Sequence, residues 1–398
     1  MCAYSFTVFL SVFQLLPTAP YHVIDLGGGT MAAGLFLGCL TYSSALSAPL
    51  TGAIGDRFGQ RRVLLIVSLM SAVFSASYAF ITSIPFLLAV VVLHGFFWSA
   101  LLSASGAYMT GAIPESRRAE GISYWGLTST LSLATAPTIG FWVYHHGWQV
   151  LCLELVTLNL VMAFIAWRLP DDNLLSERAE ASEPRERRGA PGAPARERAR
   201  GSGGTKSPGR MVDWRVLFLS VTMALVSFGY GALTSFSSLF ADELHVTPRA
   251  LFLGAMACVI VVVRLTIGRA LDRLGHRRML LLCLSGPALG LLLLGLATGR
   301  TSMLVAAVVF GLGFGLMYPS YAAYMLRHVV FTRRGAAFGA MLAAFDTGVG
   351  SGSSVAGWLI HRFGFRPAFL LSAAVAMLAV PYFLIAERAL GFYDRSER

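Results

Sequence analysis

The sequence predicts an all-α integral membrane protein: twelve transmembrane helices in two parallel-repeat six-helix bundles. Three observations predict it. The composition is too apolar for a water-soluble domain, twelve apolar runs have the length of a membrane span, and the second half repeats the first at an offset of 216 residues.

The 398-residue chain is 56% hydrophobic and only 13% charged, and its mean hydropathy is +0.67. Water-soluble domains carry about 25% charged residues. A helix needs roughly 20 apolar residues to cross the hydrocarbon of a bilayer. Runs of that kind fall near 4–24, 31–54, 63–81, 86–110, 121–144 and 148–168, then near 214–240, 249–268, 279–297, 302–326, 335–360 and 366–387. The first run lacks a basic leader and is followed at once by another, so it reads as a transmembrane helix and not as a cleaved signal. Twelve spans put both termini on one side.

The charges orient the chain. With the termini placed in the cytoplasm, 26 of the 31 Lys and Arg lie on the cytoplasmic side and four (Arg249, Arg300, Arg362 and Arg366) on the other; Arg264 lies inside a span. Positive charge accumulates on the cytoplasmic side of membrane proteins. The expectation is a multi-pass protein of the cell inner membrane with both termini cytoplasmic. The formal charge of +11 then calls for no nucleic-acid partner. Residues 169–210 are rich in Arg, Glu, Pro, Gly and Ser. Such a segment buries too little to offset its ordering entropy, so it is expected to be a disordered cytoplasmic linker, and deletion of residues 175–205 is expected to leave transport largely intact. It separates an N-terminal bundle, 1–168, from a C-terminal bundle with a short cytoplasmic tail, 211–398. The five cysteines show no CxxC spacing, which indicates neither a metal site nor a disulfide framework.

The repeat is sharpest at two loops. Residues 52–65 read GAIGDRFGQRRVLL and residues 268–281 read GRALDRLGHRRMLL, with eight of fourteen positions identical. The same offset pairs Gly95 with Gly311, Tyr108 with Tyr324, Trp142 with Trp358 and His145 with His361. Six spans per copy give both copies one orientation, related by an axis along the membrane normal. The residue types are legible. Gly52 ends a helix with a surface that a second helix can approach. Asp56 can meet a helix N-terminus or the local arginines. Gly59 permits a tight turn, and Arg61 and Arg62 anchor the loop on the basic side.

This G-x-x-x-D-R-x-G-x-R-R loop, present twice, resembles the signature of the major facilitator superfamily (MFS), and the resemblance covers essentially the whole chain. It implies two six-helix bundles around a central cavity that rock to give alternating access. It assigns a conformational gate role to Gly52, Asp56, Arg57, Gly59, Arg61 and Arg62, and in the second copy to Gly268, Asp272, Arg273, Gly275, Arg277 and Arg278. The aspartate of the first loop would hold the cytoplasmic gate shut against the start of the eleventh helix. The resemblance also implies that the first, fourth, seventh and tenth helices line the cavity.

Those four helices carry polar and aromatic stripes at helical spacing: Gln14, Thr18 and Tyr21; His94, Trp98 and Ser105; Ser227, Tyr230, Thr234 and Ser238; Phe314, Tyr318, Tyr321 and Met325. Polar groups inside hydrocarbon usually face protein or water, so Gln14, Thr18, His94, Trp98, Tyr230, Thr234, Tyr318 and Tyr321 are the candidate cavity residues. Their mixture suits a neutral or amphipathic small molecule. Asp346 lies near the middle of the eleventh helix and is the leading candidate for proton coupling; His94, whose side chain titrates in the physiological range, is the second. Glu154 reads as an interface-level carboxylate, and Arg264 as part of the cytoplasmic gate.

Two departures bear on mechanism. Val91 stands four residues before Gly95, where proton-linked members of the family carry an Arg. Ala136, Pro137, Thr138, Ile139 and Gly140 replace the G-P-x-x-G of many antiporters with one Ala. The stretch 311–324, GLGFGLMYPSYAAY, resembles bacterial efflux permeases. The run GSGGTKS at 201–207 lacks the frame of a phosphate loop, and no hydrolase or metalloprotease motif is present. The expected protein is therefore no enzyme and needs no cofactor or metal. It is a monomeric secondary active transporter that moves a small organic solute, with protons as coupling ion and efflux as direction. An uptake symporter or facilitator is the alternative within transport; a transporter-like receptor or assembly protein is the alternative outside it.

Overall fold

The computed structural model describes residues 1–113, 118–171, 214–266, 276–327 and 334–390. Among them every regular element is helical. The N-terminal half comprises α1 (Cys2–Asp25), α2 (Thr30–Phe58), α3 (Gln60–Tyr78), α4 (Ile84–Ala112), α5 (Arg118–Tyr144) and α6 (Trp148–Arg168). The C-terminal half comprises α7 (Trp214–Glu243), α8 (Leu251–Thr266), α9 (His276–Gly295), α10 (Arg300–Arg327), α11 (Arg334–Phe363), α12 (Phe365–Met377) and α13 (Ala379–Ala389). The last two are halves of one span, Phe365–Ala389. Twelve spans result, as the apolar runs predict. The expected linker beyond Asp171 and the residues Gly268, Asp272, Arg273 and Gly275 lie outside the described residues.

Among the described residues nine helices are long and apolar enough to cross a membrane. Of the other three, α8 is an apolar helix described over 16 residues only, and α5 and α11 sit where the two halves meet. Helices at a protein–protein seam inside a membrane favour small residues that let backbones approach. The α11 helix accordingly carries Gly348, Gly350, Gly352 and Gly357 in place of larger apolar side chains.

The repeat is visible in packing. Gly95 of α4 lies against the Leu40 carbonyl of α2, and Gly311 of α10 lies against the Met256 carbonyl of α8. Both glycine and carbonyl move by 216 residues between the halves. At each site a Cβ would come within 3 Å of that oxygen. The hinge between α2 and α3 is Gly59 alone, at φ 87°. That left-handed backbone favours glycine.

The apolar core has a forked shape. One cluster joins the two halves at the end away from the basic loops, with Leu15, Ala19, Phe36 and Leu40 of the N-terminal half continuous with Phe236, Phe240, Phe310 and Val349 of the other. At the basic end the core divides. Tyr4, Leu64, Val67 and Ala104 form a cluster confined to the N-terminal half. Leu219, Leu280, Met317 and Phe383 form one confined to the C-terminal half. Glycines report the same geometry. On α11, a Cβ at Gly357 would sit 2.5 Å from the Thr30 carbonyl of α2, whereas at the basic ends of α2, α4 and α11 a Cβ at Gly52, Gly106, Gly111 or Gly339 meets nothing within 4 Å. Among the described residues the halves are locked together at the far end, and at the basic end their cores do not join.

Candidate functional site

Two seams join the halves, and each carries a polar group near mid-helix. Along the first, α2 lies against α11. Thr30 Oγ1 donates to the Gly357 carbonyl at 3.0 Å, Ser353 Oγ donates to the Gly34 carbonyl at 2.9 Å, and Tyr42 Oη lies 2.7 Å from Ser351 Oγ. The last of these contacts toward the basic end is Ser44 Oγ, which donates to Asp346 Oδ2 at 2.7 Å. Asp346 is only 7% exposed. Beyond this pair, among the described residues, no hydrogen bond joins α2 to α11. Asp346 thus marks the point where the two helices separate.

Along the second seam α8 lies against α5. Arg264 reaches out of α8 in both directions. Its Nε donates to the Gly315 carbonyl of α10 at 3.0 Å, and its Nη1 donates to the Gly126 carbonyl at 3.3 Å and to Thr130 Oγ1, both on α5. Thr130 is the repeat equivalent of Asp346. Each seam therefore has a polar bridge at the same repeat position, with the ionisable partner supplied by the C-terminal half both times.

Between the seams lies an aromatic group from α7, α10 and α11. Tyr230 stacks on Phe314 with ring centroids 4.6 Å apart, Phe314 on Phe310 at 5.3 Å, and Phe345 meets Tyr230 at 6.0 Å and Tyr318 at 6.3 Å. Phe314, Tyr318, Phe345 and Arg264 are half-buried. They are the partly accessible groups around the Asp346 level. Such rings offer stacking surface to a planar or apolar body.

The far end is closed by a polar latch. Tyr21 of α1 donates its hydroxyl to Asp242 Oδ2 of α7 at 2.9 Å. Arg249, in the loop before α8, donates to Asp242 Oδ1 at 3.0 Å, and its guanidinium carbon lies 5.0 Å from the Tyr21 ring centroid. Tyr144 donates to Asp25 Oδ2 at 2.6 Å beside them, its ring centroid 6.1 Å from that of Tyr21. The latch ties the two halves together at the ends of α1 and α7.

The sequence matches the Major Facilitator Superfamily over residues 1–329 and again over 219–391. The chain belongs to this superfamily. The MFS-type transporter YhhS of Escherichia coli K12 is 23% identical over 387 residues, covering 95% of this chain and 89% of that protein. The MFS-type transporter PA1993 of Pseudomonas aeruginosa PAO1 is 26% identical, covering 94% and 89%. Among solved structures, the nucleoside transporter NupG superposes with a TM-score of 0.72 at 14% identity, covering 97% of each chain. The human organic anion transporter MFSD10 superposes with a TM-score of 0.67 at 16% identity, covering 96% and 97%. The chain is a multi-pass membrane transporter of a small solute and not an enzyme.

In this transporter the structure divides the predicted cavity residues. Tyr230 and Tyr318 belong to the aromatic group at the centre, and Trp98 is half-buried with its ring edge toward Phe9 at 6.2 Å. The others are corrected. Thr18 and Thr234 are buried and donate to carbonyls of their own helices, Gln14 and Tyr230, each at 2.7 Å. Tyr321 is fully buried, with its hydroxyl on the Leu219 carbonyl at 2.6 Å. Gln14 is fully buried and faces Glu154 of α6. Helical spacing alone does not distinguish a wet face from one that packs on a neighbouring helix.

His94 is also placed inside the N-terminal half. Its Nδ1 lies 2.9 Å from the Tyr78 hydroxyl, and its ring stacks on Phe74 at 5.0 Å. It lines a small cavity with Ser71, Ser75, Trp98 and Asn159, away from both seams. That space holds about one water molecule.

Of the loop residues, Asp56, Arg57 and Arg62 are exposed, and Asp56 Oδ1 accepts a bond from Gln60 Nε2 one turn away at 3.3 Å. In this state Gly52 makes no close helix approach. Arg61 instead pairs with Asp171, just past α6, and Arg277 with Glu387 of α13, while Arg278 is exposed. Neither acidic partner was singled out in the sequence, although both pairs obey the 216-residue offset and an aligned repeat contains that signal. Ser44, Asp242 and Arg249 were missed too. Nothing in their local sequence distinguishes them from ordinary seam and loop residues.

Proposed function

We propose that this transporter extrudes a small amphipathic organic solute by alternating access, driven by proton entry, with Asp346 as the coupling carboxylate. The observation that carries the reading is the position of Asp346. It is buried at the seam, bonded across the halves to Ser44, at the level where α2 and α11 part. A carboxylate within a membrane is costly unless protonated or paired. Hydrogen bonds to a charged acceptor are stronger than those to a neutral one. A proton arriving at Asp346 therefore changes the strength of the Ser44 contact, and with it the balance between the two states of the seam.

The basic end is the cytoplasmic one by the distribution of Lys and Arg, so the state described here is open inward. In it the solute reaches Tyr230, Phe314, Tyr318 and Phe345 from the cytoplasm. A body with a planar or apolar face suits this group of rings. A nucleoside transporter and an organic anion transporter among the structural neighbours are compatible with such a solute. The 311–324 stretch supports efflux as the direction, and the Ala136-Pro137-Thr138-Ile139-Gly140 run of α5, with Ala where many antiporters carry the first Gly, supports it in part. The first loop, with Gly52 and Asp56 standing open, closes on α11 in the opposite state. The second loop plays the matching part in its own half, and the transporter works as a monomer.

The test is solute flux in proteoliposomes with and without an imposed pH gradient. Asp346→Asn is expected to retain downhill solute movement and to lose gradient-driven accumulation. Gradient-driven accumulation at the wild-type level in that variant would overturn the coupling role.

A further inference from the structure

On α1, Gln14 faces Glu154 of α6, and its Nε2 donates to Glu154 Oε1 at 3.3 Å. The Gln14 side chain is fully buried. Gly140 of α5 closes over it, so tightly that a Cβ there would lie 3.0 Å from Gln14 Cα. Two atoms of the pair remain. Gln14 Oε1 and Glu154 Oε2 are both sealed, and neither has a hydrogen-bond partner among the described residues. If Glu154 is ionised, both are acceptors and no donor exists for either. Glu154 is about 9 Å along α6 from Trp148, at the 1.5 Å rise of a helix, well inside the span. Buried acceptors without donors, one of them charged, are strongly unfavourable.

One proton resolves both vacancies. Placed on Glu154 Oε2, it makes an O–H that donates to Gln14 Oε1, while Gln14 Nε2 continues to donate to Glu154 Oε1. The two side chains then form a closed, neutral carboxylic acid–amide pair with all four polar atoms bonded. We propose that Glu154 is a proton-binding site of the N-terminal half, held as the neutral acid by the Gln14 amide. This site is separate from Asp346 and does not depend on the coupling role assigned there.

Among the described residues no cation lies beside Glu154 to stabilise the ionised form. On α6 and the helices packed against it, the titratable groups in the half of the span that holds Glu154 are Tyr21 and His22 of α1, Tyr78 of α3, Tyr144 of α5 and Cys152 of α6, with Asp25 at the end of α1; the arginines of these helices, Arg61 and Arg62 of α3, Arg118 of α5 and Arg168 of α6, stand at the opposite, basic ends. His94 of α4 lies across the small cavity. The hydroxyls of Tyr21 and Tyr144 are on Asp242 and Asp25, Tyr78 is on His94, and the His22 ring stacks on Trp148 at 3.9 Å. Among the described residues, Gln14 is the hydrogen-bond partner of Glu154.

The test is infrared spectroscopy of the purified full chain in lipid at pH 7, where an ordinary glutamate, with a pKa of about 4.3, is ionised. The expected spectrum contains a carboxylic acid carbonyl band that disappears in Glu154→Gln and persists in Asp346→Asn. Glu154→Gln retains both bonds of the pair, because the new amide donates to Gln14 Oε1 where the acid did, and is expected to fold. Gln14→Leu removes the donor to the acid carbonyl and shifts the same band to higher frequency. Identical carbonyl regions in wild type and Glu154→Gln would overturn the proposal. Should Glu154→Gln fail to accumulate, Gln14→Leu decides by itself: a shifted band supports the proposal, and an unshifted one refutes it. Loss or retention of pH-gradient coupling in Asp346→Asn has no bearing on this readout.

Discussion

Arg277 Nε lies 2.9 Å from both carboxylate oxygens of Glu387, and 216 residues earlier Arg61 makes the equivalent pair with Asp171. The repeat extends to a third member. Tyr324 donates to Glu387 Oε1 at 2.8 Å, and Tyr108 donates to the Pro170 carbonyl at 2.9 Å. The first arginine of the pair that closes each signature motif is thus tied to the end of its own bundle's sixth span. This ties the start of α3 and the start of α9 to the end of the sixth span of the same bundle, as a rocking mechanism requires.

The two pairs are expected to differ in strength. Glu387 is 1% exposed and Asp171 64%. Removing one partner of a buried pair costs about 3–5 kcal/mol, and exposed pairs contribute roughly 0–1 kcal/mol. Glu387→Ala should lower the thermal inactivation midpoint of the purified protein severely or prevent its accumulation. Asp171→Ala should change it little. Equal midpoints for the two variants would contradict the assigned burial.

Glycines at the two ends of α2 should behave oppositely. A Cβ at Gly34 would sit 2.4 Å from the Ser353 carbonyl, whereas at Gly52 it meets nothing within 4 Å. Gly34→Ala is expected to disfavour the state locked at the far end, and so to raise thiol labelling of a single cysteine introduced on α1 near Tyr21. Gly52→Ala should leave that labelling unchanged. If the loop closes on α11 during turnover, Gly52→Ala slows transport by about tenfold, the effect of one 1.4 kcal/mol increment. Wild-type turnover in Gly52→Ala would count against closure there.

The far-end latch predicts a graded effect. Arg249 and Asp242 are 46% and 36% exposed, so their pair alone is weak. Asp242 also holds Tyr21, and a net hydrogen bond contributes about 0.5–1.5 kcal/mol. Tyr21→Phe is expected to shift the balance between states by up to about tenfold, and Asp242→Asn by more, because it weakens both contacts. Labelling rates at the far end, compared across the two variants, measure this. Equal rates in Asp242→Asn and wild type would show that the latch does not hold the state.

Ser44→Ala tests the seam without touching a charge. It leaves Asp346 Oδ2 buried without the Ser44 donor, at a cost of about 1–3 kcal/mol to the present state. Thermal stability should fall accordingly, and Ser44→Thr, which keeps a hydroxyl, should restore part of it. A wild-type midpoint in Ser44→Ala would mean that Asp346 finds another donor.

Much of the fold is legible in the sequence because the bilayer imposes a single length and polarity on every span. The duplication then fixes how the copies relate. The Gly95 and Gly311 contacts, predicted only as an alignment, recur as the same glycine-on-carbonyl approach in both halves. The site is less legible. Gln14, Thr18, Thr234 and Tyr321 have the residue types and spacing of cavity residues, yet each is bonded within the helix packing. A polar side chain in a membrane protein needs a partner, and either water or a neighbouring helix supplies one. Sequence periodicity does not report which.

The sequence by itself determined the twelve spans, the two halves, the basic end and the superfamily, since each follows from composition, periodicity and a repeated loop. Only the tertiary structure decided which end is closed. The far-end core runs through both halves and the basic-end core is split, a difference of packing between residues hundreds of positions apart. Only the tertiary structure could set Ser44 on Asp346, Tyr21 on Asp242 and Gln14 on Glu154, because those bonds join helices whose adjacency no local pattern encodes.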